Sequence, residues 1–293
     1  MHRSGLVNII GNPNVGKSTL MNALVGEKLS IITSKAQTTR HRIMGIVSGE
    51  DFQIVYSDTP GILKPSYKLQ ESMMKFVTGA LTDADVILYV TDTVEQSERS
   101  AEIVDSIRRS GIPTVVVINK IDLSTPEALE ALVDKWQAEI PGAQVVPTSA
   151  KENFNIEGLF RTILSLLPEG PAFYPKDTLT DKTLRFFASE IIREKILKFY
   201  DKEIPYCCEI EIESYKEEPT IDRIAATIYV ARDSQKGILI GHKGEKLKRV
   251  GQTAREDMEQ FLGKKVFLQL FVKVSDDWRN NERQLRRFGY EQE

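Results

Sequence analysis

An octapeptide close to the start of the chain places the strongest constraint on the fold. Gly11–Ser18 (GNPNVGKS) matches the pattern GxxxxGK(S/T) and directly follows the apolar run Leu6–Ile10. Its glycines allow successive backbone N–H groups to close around a phosphate, and a helix beginning there presents its positive N-terminus to the same anion. The pattern requires a strand before the loop and a helix after it. The sequence therefore predicts a phosphate-binding loop within a layered α/β domain.

A second motif selects the base. The tetrapeptide Asn119-Lys120-Ile121-Asp122 begins 102 residues after Lys17. A buried carboxylate at Asp122 is expected to accept hydrogen bonds from the ring N–H and the exocyclic amine of guanine. Adenine lacks this donor pair and would leave the carboxylate unpaired, which a specific site penalises. Together, the two motifs predict binding of a guanine nucleotide.

Short apolar runs alternate with helical patterns up to about residue 170. The predicted strands are Leu6–Ile10, Ile43–Val47, Gln53–Ser57, Val86–Thr91, Thr114–Ile118 and Gln144–Pro147. The predicted helices are Ser18–Val25, Ser66–Ala80, Glu98–Arg109, Pro126–Glu139 and Ile156–Leu167. This alternation predicts an α/β fold with a mostly parallel sheet and helices on both faces. The second and third strands meet without a helix between them, so they are predicted to form an antiparallel hairpin at one edge.

The polar motifs follow strands and are expected to converge at the carboxyl edge of the sheet. Lys17 is expected to bridge the β- and γ-phosphates, and Ser18 is expected to ligate magnesium. Asp58, which begins an Asp-Thr-Pro-Gly motif, is expected to reach the same ion, and the Gly61 N–H to sense the γ-phosphate. We expect Thr39 to complete the magnesium shell in preference to Thr38.

The complete predicted site contains residues from five segments. Ala150 is expected to contact the guanine carbonyl through its N–H group. The predicted nucleotide-binding residues are Gly11, Asn12, Pro13, Asn14, Val15, Gly16, Lys17, Ser18, Thr19, Thr38, Thr39, Asp58, Thr59, Pro60, Gly61, Asn119, Lys120, Asp122, Ser149, Ala150 and Lys151. The predicted catalytic residues are Lys17, Asn14, Thr39 and Gly61.

The second half of the chain differs in charge and pattern. From Pro175 onward it holds 23 Lys and Arg against 22 Asp and Glu, whereas the preceding residues hold 16 against 20. Within it, Lys236–Arg249 carries a local charge of +4 over 14 residues. The prolines and glycine at residues 168–175 predict a linker.

Beyond the linker, a glycine-rich loop lies between predicted helices. The predicted order is a helix at Thr183–Tyr200, strands at Tyr206–Ser214 and Arg223–Ala231, the loop segment 237–244, a basic helix from Glu245 to Phe261 and a strand at Lys265–Val274. The loop ends in Gly241-His242-Lys243-Gly244, a Gly-x-x-Gly pattern that allows close approach of an RNA backbone. Ile238, Ile240, Leu247 and Val250 are expected to form the floor of a groove for unstacked bases.

These features together resemble a known family. The nucleotide motifs resemble those of the translation-factor-related GTPases, and the second half resembles a type II KH domain. Over essentially its whole length, the chain resembles the Era family of bacterial ribosome-assembly GTPases. The resemblance implies a GTPase domain at 1–170, a linker at 171–182, a KH domain at 183–275 and a C-terminal helical tail at 276–293.

The same resemblance implies function, cofactors and partners. It implies a GTP-hydrolysing switch with GTP or GDP and magnesium as cofactors. It also implies binding to the 3′-terminal region of 16S rRNA during assembly of the small (30S) ribosomal subunit, by a monomer. The RNA-binding residues expected on this basis are Gly241, His242, Lys243, Gly244, Lys246, Lys248, Trp278 and Arg279.

The chain departs from Ras-like GTPases at one catalytic position. Ile62 follows Gly61, where those enzymes place a glutamine that orients the attacking water. Relatives use an asparagine equivalent to Asn14 to ligate a potassium ion, which would supply positive charge between the phosphates. Asparagine also suits the turn at that position. Both interpretations of Asn14 stay open.

Two other function classes agree less well with the sequence. A membrane-linked GTP-dependent regulator or transporter is disfavoured because no apolar run is long enough to span a membrane. A tRNA-modifying GTPase is disfavoured because no cysteine lies near the chain end; the only cysteines are Cys207 and Cys208. These adjacent residues are predicted in one strand, too poorly oriented to form a disulfide. We expect a cytoplasmic protein and leave open peripheral contact with the inner face of the cell membrane.

Overall fold

The computed structural model describes residues 2–94 and 101–290, which form two compact units. The first unit comprises residues up to Ser66 together with Met73–Asp181. The second comprises Tyr67–Ser72 and the residues from Lys182 onward. The start of the helix predicted at Glu98–Arg109 lies outside the described residues.

The first unit is built around a six-stranded sheet with the order β2-β3-β1-β4-β5-β6. Only the β2–β3 pair is antiparallel, and β2 lies at the edge, as predicted. The elements in chain order are β1 Arg3–Gly11, α1 Lys17–Val25, β2 Ile43–Ser48, β3 Phe52–Asp58, α2 Lys68–Thr82, β4 Val86–Asp92, α3 Ala101–Ser110, β5 Thr114–Asn119, α4 Pro126–Glu139, β6 Gln144–Pro147 and α5 Ile156–Leu166.

Burial explains why the central strands are continuously apolar. Every residue of β4 and β5 is buried, as expected for parallel strands with helices on both faces. The covering helices are amphipathic: α3 buries Val104 and Ile107, and α5 buries Leu159 and Ile163. This packing places the carboxyl ends of β1, β3, β5 and β6 along one edge of the sheet.

The predicted linker is bound along the outer edge of this sheet as far as Asp181. The Ile46 N–H donates to the Leu179 carbonyl at 2.8 Å, and Gly45 forms an antiparallel bridge with Thr180. The Gln53 side chain donates to the Tyr174 carbonyl at 2.8 Å. The segment therefore covers the backbone of edge strand β2, a common protection for an exposed edge.

The second unit contains the predicted α-β-β-α-α-β order around a three-stranded sheet. Its elements are α6 Leu184–Phe199, α7 Ile204–Cys207, β7 Glu209–Glu217, β8 Ile221–Val230, α8 Asp233–Ile240, α9 Glu245–Leu262, β9 Lys265–Val274 and α10 Glu282–Arg287. β7 pairs antiparallel with β8, and β8 pairs parallel with β9. Residues of α6 and α9 pack on one face of this sheet and enclose a separate apolar core.

The prediction of a strand over Tyr206–Ser214 was wrong at its start. Tyr206 and Cys207 belong to the short helix α7, in whose first turn Pro205 lies, and the strand begins at Glu209. Proline is common in the first turn of a helix because its fixed φ angle is close to the helical value. Cys207 and Cys208 are consequently not strand neighbours. Both are buried thiols that form no disulfide, and each Sγ donates to the Ile204 carbonyl.

The tail packs against the KH-like unit through buried contacts. Trp278 is completely buried, and its Nε1 donates to the Cys207 carbonyl at 2.9 Å. Tyr290 Oη donates to Glu209 at 2.6 Å. Arg287, at the end of α10, pairs with Glu211 on β7 at 2.5 Å.

Among the described residues, no helix is long and apolar enough to cross a membrane.

Candidate functional site

The phosphate loop connects β1 to α1 and is held by hydrogen bonds to its own backbone. Lys17 is only 6 % exposed, and its Nζ donates to the carbonyls of Gly11 at 3.0 Å and Asn12 at 2.8 Å. Asn14 and Gly16 adopt positive φ angles of 66° and 96°. A Cβ atom at Gly16 would clash with the side-chain amide of Asn119. The position therefore requires glycine for both conformation and space.

Asn119 and Lys120 link this loop to two other loops. Asn119 Nδ2 donates to the Val15 carbonyl at 2.9 Å, and its Oδ1 accepts from the Ala150 N–H at 3.0 Å. Lys120 Nζ donates to the Asn14 carbonyl at 2.5 Å. It also pairs at 2.5 Å with Asp92, which is 5 % exposed. Sequence reasoning missed Asp92; an acidic residue at the end of a fully apolar strand was the signal that identifies it.

Asp122 differs from the sequence-based expectation. Its carboxylate is exposed rather than buried, because it lies in a short 3₁₀ turn, Ile121–Leu123, beyond the end of β5. Ser149 Oγ donates to Asp122 Oδ1 at 2.6 Å and fixes its orientation. Lys151 is exposed and pairs with Glu152 at 3.1 Å. The Asp122 carboxylate, which is predicted to select the base, is therefore held at the rim of the site, where it is accessible.

Three predicted magnesium ligands converge between the phosphate loop and β3. Ser18 Oγ donates to Asp58 Oδ2 at 2.7 Å, and Thr39 Oγ1 lies 2.9 Å from Ser18 Oγ and 3.4 Å from Asp58 Oδ2. Burial raises the pKa of the Asp58 carboxyl, while the Ser18 hydrogen bond and the Lys17 charge partly oppose the shift.

The second oxygen of Asp58 tests whether this set suits a cation. Asp58 Oδ1 is buried and has no hydrogen-bond partner among residues 2–94 and 101–290. A buried carboxylate oxygen without a donor is destabilising unless a cation or water satisfies it. One carboxylate and two hydroxyl groups beside a phosphate site match the sparse protein ligation that Mg²⁺ tolerates. The residues present therefore fit a magnesium ion.

The neighbouring threonines are placed differently. Thr38 Oγ1 donates to the Lys35 carbonyl at 2.5 Å and lies 2.6 Å from Thr33 Oγ1, so it stabilises its own loop. Thr59 is fully buried and donates to the Ile9 carbonyl at 2.7 Å. Thr39 alone of the three lies with Ser18 and Asp58.

The segment after Asp58 is packed tightly on the phosphate loop. A Cβ atom at Gly61 would lie 2.8 Å from Pro13 Cα. The Ile62 side chain is 5 % exposed and belongs to the apolar core of the unit, and its N–H donates to the Gly11 carbonyl at 3.1 Å. A cavity of about 370 Å³ opens beside the loop and is lined also by residues 31–35 and 37–39, by Gly61 and by Lys120.

The Gly-x-x-Gly loop of the second unit projects from the end of α8. Gly241 and Gly244 have φ angles of 74° and 80°, and Lys243 between them has a φ of 48°. His242 and Lys243 are exposed. A Cβ atom at Gly241 would lie 2.7 Å from Cγ of Lys246, so a side chain there would crowd the start of α9.

A groove of about 490 Å³ lies beside this loop, between α9 and β9. It is lined by Gly244, Leu247, Lys248, Gly251, Gln252, Arg255, Leu268 and Leu270. Leu247 was predicted here, but Val250 is fully buried in the core and was wrongly placed in the floor. The floor is formed instead by side chains of β9. Leu270 Cδ1 lies 3.4 Å from the position that a Cβ atom at Gly251 would occupy, so the glycine allows close packing there. Such contacts depend on strand register, which the local pattern does not show.

The predicted RNA-binding residues of α9 and of the tail divide into exposed and buried side chains. Lys246 and Lys248 are exposed on the first turns of α9, and Arg279 is partly exposed. Trp278 was wrongly included among accessible residues, because its indole is buried against Phe288 with 5.7 Å between ring centroids. Its role is to anchor the tail.

Comparison with known proteins accounts for both sites. Residues 6–120 match the family described as 50S ribosome-binding GTPase, and residues 203–279 match the KH domain family. GTPase Era of Staphylococcus haemolyticus is 45% identical over 291 residues, 99% of this chain and 97% of the relative. GTPase Era of Alkaliphilus metalliredigens is 45% identical over 99% of both chains.

Two solved structures agree with the complete chain. One is a crystal structure of Era in complex with MgGDPNP and nucleotides 1506–1542 of 16S ribosomal RNA, with 40% identity, 100% coverage of both chains and a TM-score of 0.95. The other is a variant of Aquifex aeolicus Era bound to GDP·AlF4−, with 40% identity, coverage of 99% of this chain and 100% of that chain, and the same TM-score of 0.95. The interlocked guanine-nucleotide loops, the KH groove and these full-length similarities establish that this chain belongs to the Era family of GTPases.

Proposed function

We propose that this GTPase couples its nucleotide state to binding of the 3′-terminal region of 16S rRNA during assembly of the 30S ribosomal subunit. The observation that carries the proposal is the presence, in one chain, of a complete guanine-nucleotide site and an open KH groove. A 40% identical Era binds MgGDPNP and nucleotides 1506–1542 of 16S rRNA. The predicted residues of both sites are present in this chain, and Asp122 at the first site and His242 and Lys243 at the second are exposed.

In the nucleotide site, the phosphate loop and α1 bind the phosphates. Lys17 would exchange its two backbone carbonyl partners for phosphate oxygens, and Asp122 would accept from guanine at the rim. Ser18, Thr39 and Asp58 would hold magnesium, which supplies positive charge to the phosphates when bound. The pairing of Thr39 with Ser18 and Asp58, at 2.9 Å and 3.4 Å, supports its choice over Thr38.

Hydrolysis would not use a side chain at the position after Gly61. Ile62 is packed in the core and has no hydrogen-bonding group, so water must be oriented by other groups. Asn14 is exposed on the phosphate loop and has two candidate roles. Its amide could ligate potassium, whereas its φ of 66° also suits a turn-forming asparagine.

In the RNA site, the Gly-x-x-Gly loop would clamp the backbone and the groove would hold bases. The exposed positions of His242, Lys243, Lys246 and Lys248 support phosphate contact. The apolar groove residues Leu247, Leu268 and Leu270 support contact with base faces. Arg279 is a further candidate for RNA contact.

The proposed partner is the 30S subunit, bound by a monomer in the cytoplasm, with peripheral membrane contact as a secondary part of the proposal. The test is sedimentation of untagged protein from a cell lysate, followed by binding of an RNA spanning nucleotides 1506–1542 with GTP analogue, GDP and no nucleotide. We expect co-sedimentation with small subunits and RNA affinity that depends on the nucleotide. Sedimentation with membranes alone, together with no RNA binding, would overturn the proposal.

A further inference from the structure

The outer face of the KH sheet carries an exposed aromatic surface that the groove does not use. Phe267 and Phe271 on β9 are 43 % and 47 % exposed. They lie on the face opposite α6 and α9, because side chains alternate along a strand and the intervening Leu268 and Leu270 pack inward. Large exposed aromatics on a sheet face commonly mark a binding surface.

The neighbouring strand leaves this surface flat. In the register of β8 and β9, Phe267 lies opposite Arg223, and Phe271 lies opposite Thr227, with the small Ala225 between them. The Arg223 guanidinium is 5.4 Å from the centre of the Phe267 ring. We call Arg223, Lys265, Phe267, Phe271 and Lys273 the sheet platform.

The tail covers only the far end of the same sheet face. Phe288 packs on Tyr229 at 5.4 Å between ring centroids, and Arg287 lies 5.6 Å above the Tyr229 ring. Tyr229 is opposite Lys273, at the end of β9, so the two phenylalanines lie beyond the covered region. As far as Tyr290, the tail thus leaves Phe267 and Phe271 uncovered.

Three cations border the phenylalanines of the platform, and each of them is held in an ion pair. Side chains of Lys265, Lys273 and Arg223 are 76 %, 54 % and 49 % exposed and border the phenylalanines. Their acidic partners are Glu259, Glu213 and Glu218, at 3.6, 2.9 and 3.0 Å. The Arg223 and Lys273 pairs are partly exposed, and ion pairs of this kind are weak and screened, so these two side chains can also reach a phosphate beside the platform.

The platform is also continuous with the KH groove. Leu268 and Leu270 line the groove on one face of β9, while Phe267 and Phe271 lie on the other face of the same strand. β9 is an edge strand of the sheet, and within residues 2–94 and 101–290 no further strand separates the two surfaces. A polymer leaving the groove has to pass only around this edge to reach the platform.

We propose that the sheet platform is a second single-stranded RNA surface, on which bases of the RNA segment leaving the groove stack on Phe267 and Phe271. Aromatic side chains with bordering cations are the usual means of holding unstacked bases without sequence selectivity. The inference rests on the proposed function. A KH loop clamps about four nucleotides, whereas the RNA bound by the 40% identical Era spans 1506–1542, which is 37 nucleotides. Most of such an RNA lies outside the groove.

The test compares two RNAs on the full chain. One spans nucleotides 1506–1542, and the other is a fragment of about six nucleotides that is sufficient for the groove alone. The variant is Phe267→Ser with Phe271→Ser, and the matched control is Phe173→Ser, a 56 % exposed phenylalanine in the first unit. A second variant, Phe267→Tyr with Phe271→Tyr, retains the aromatic faces. GDP binding and thermal unfolding verify the fold of each protein.

We expect the serine variant to lose at least about tenfold in affinity for the long RNA and to bind the short RNA as wild type does. The tyrosine variant and the Phe173→Ser control should match wild type with both RNAs. Tryptophan fluorescence of Phe271→Trp should be quenched by the long RNA only, because base stacking on the indole is required.

Three results for the serine variant would overturn the platform while leaving the proposed function intact. The first is unchanged affinity for the long RNA, and the second is equally weakened binding of the long and the short RNA. The third is loss of a concentration-dependent dimer that the wild type forms, with no change in RNA binding. The last result would assign the surface to contact between copies of the chain. Failure of the wild type to bind either RNA would instead refute the proposed function, and the platform with it.

Discussion

The phosphate loop and the Gly-x-x-Gly loop both use glycine at the start of a helix, but they are supported in different ways. Within the phosphate loop, Lys17 donates to a backbone carbonyl of the loop itself. Hydrogen bonds from Asn119 and Lys120 join the loop to neighbouring parts of the site. The Gly-x-x-Gly loop presents exposed His242 and Lys243 at its tip. A small ligand that must be enclosed requires the first arrangement, whereas a polymer that passes across the surface requires the second. Changes in the two loops should therefore have separable effects.

The largest expected effect is on the open loop. Replacing His242 and Lys243 together by aspartate should abolish specific RNA binding, because two carboxylates would face the phosphate backbone. GDP binding should stay within about twofold, since the two units have separate cores. Parallel titrations with labelled GDP and with the RNA of nucleotides 1506–1542 measure both. RNA affinity equal to wild type would show that the loop is only a turn.

The second-largest expected effect is on nucleotide binding by the phosphate loop, and it separates backbone strain from side-chain packing. Gly16→Ala should weaken GDP binding about a hundredfold or more, because a Cβ there displaces the Asn119 side chain that supports Val15. Gly26→Ala is the matched control: Gly26 has a similar φ of 82° but nothing within 4 Å of the added atom. Both variants incur backbone strain of about 1–2 kcal/mol. Equal loss of GDP affinity in the two would refute the Asn119 argument.

A smaller effect is expected at the rim of the nucleotide site. Asp122→Asn should weaken guanine-nucleotide binding by about 1.5–3 kcal/mol and favour xanthine nucleotides, because the amide can donate to the second xanthine carbonyl. Competition of GDP, XDP and ADP against labelled nucleotide measures the preference. Wild-type protein that bound ATP as tightly as GTP would contradict the assignment of Asp122.

The smallest effect concerns turnover. Asn14→Gly removes the amide but tolerates the φ of 66°, so it should slow hydrolysis about tenfold while leaving GTP affinity nearly unchanged. Any stimulation by potassium over sodium should disappear in the variant. Identical wild-type hydrolysis in the two salts would leave Asn14 as a turn residue. Asn14→Ala, which adds backbone strain, distinguishes a conformational effect from loss of the ligand.

Much of the fold was predictable because its local signals agree with its global packing. The strands β4 and β5 are predominantly apolar because helices cover both faces, and the β2–β3 hairpin follows from two strands without a helix between them. The strand prediction at Tyr206–Ser214 was wrong at its start because the short apolar run from Ile204 to Cys208 is compatible with a strand or a buried helical turn. Packing of Ile204 and Cys207 into the core decided for helix α7.

The amino-acid sequence by itself determined which chemical groups the chain carries: a phosphate loop, an Asn-Lys-x-Asp motif, isoleucine in place of a catalytic glutamine and a Gly-x-x-Gly loop are all local patterns of residue types. Only the tertiary structure decided which of those residues are accessible and which are joined. It buried Trp278 and Val250, exposed Asp122, and placed Asp92 on Lys120. These outcomes depend on contacts between residues far apart in the chain, and local periodicity carries no information about such contacts.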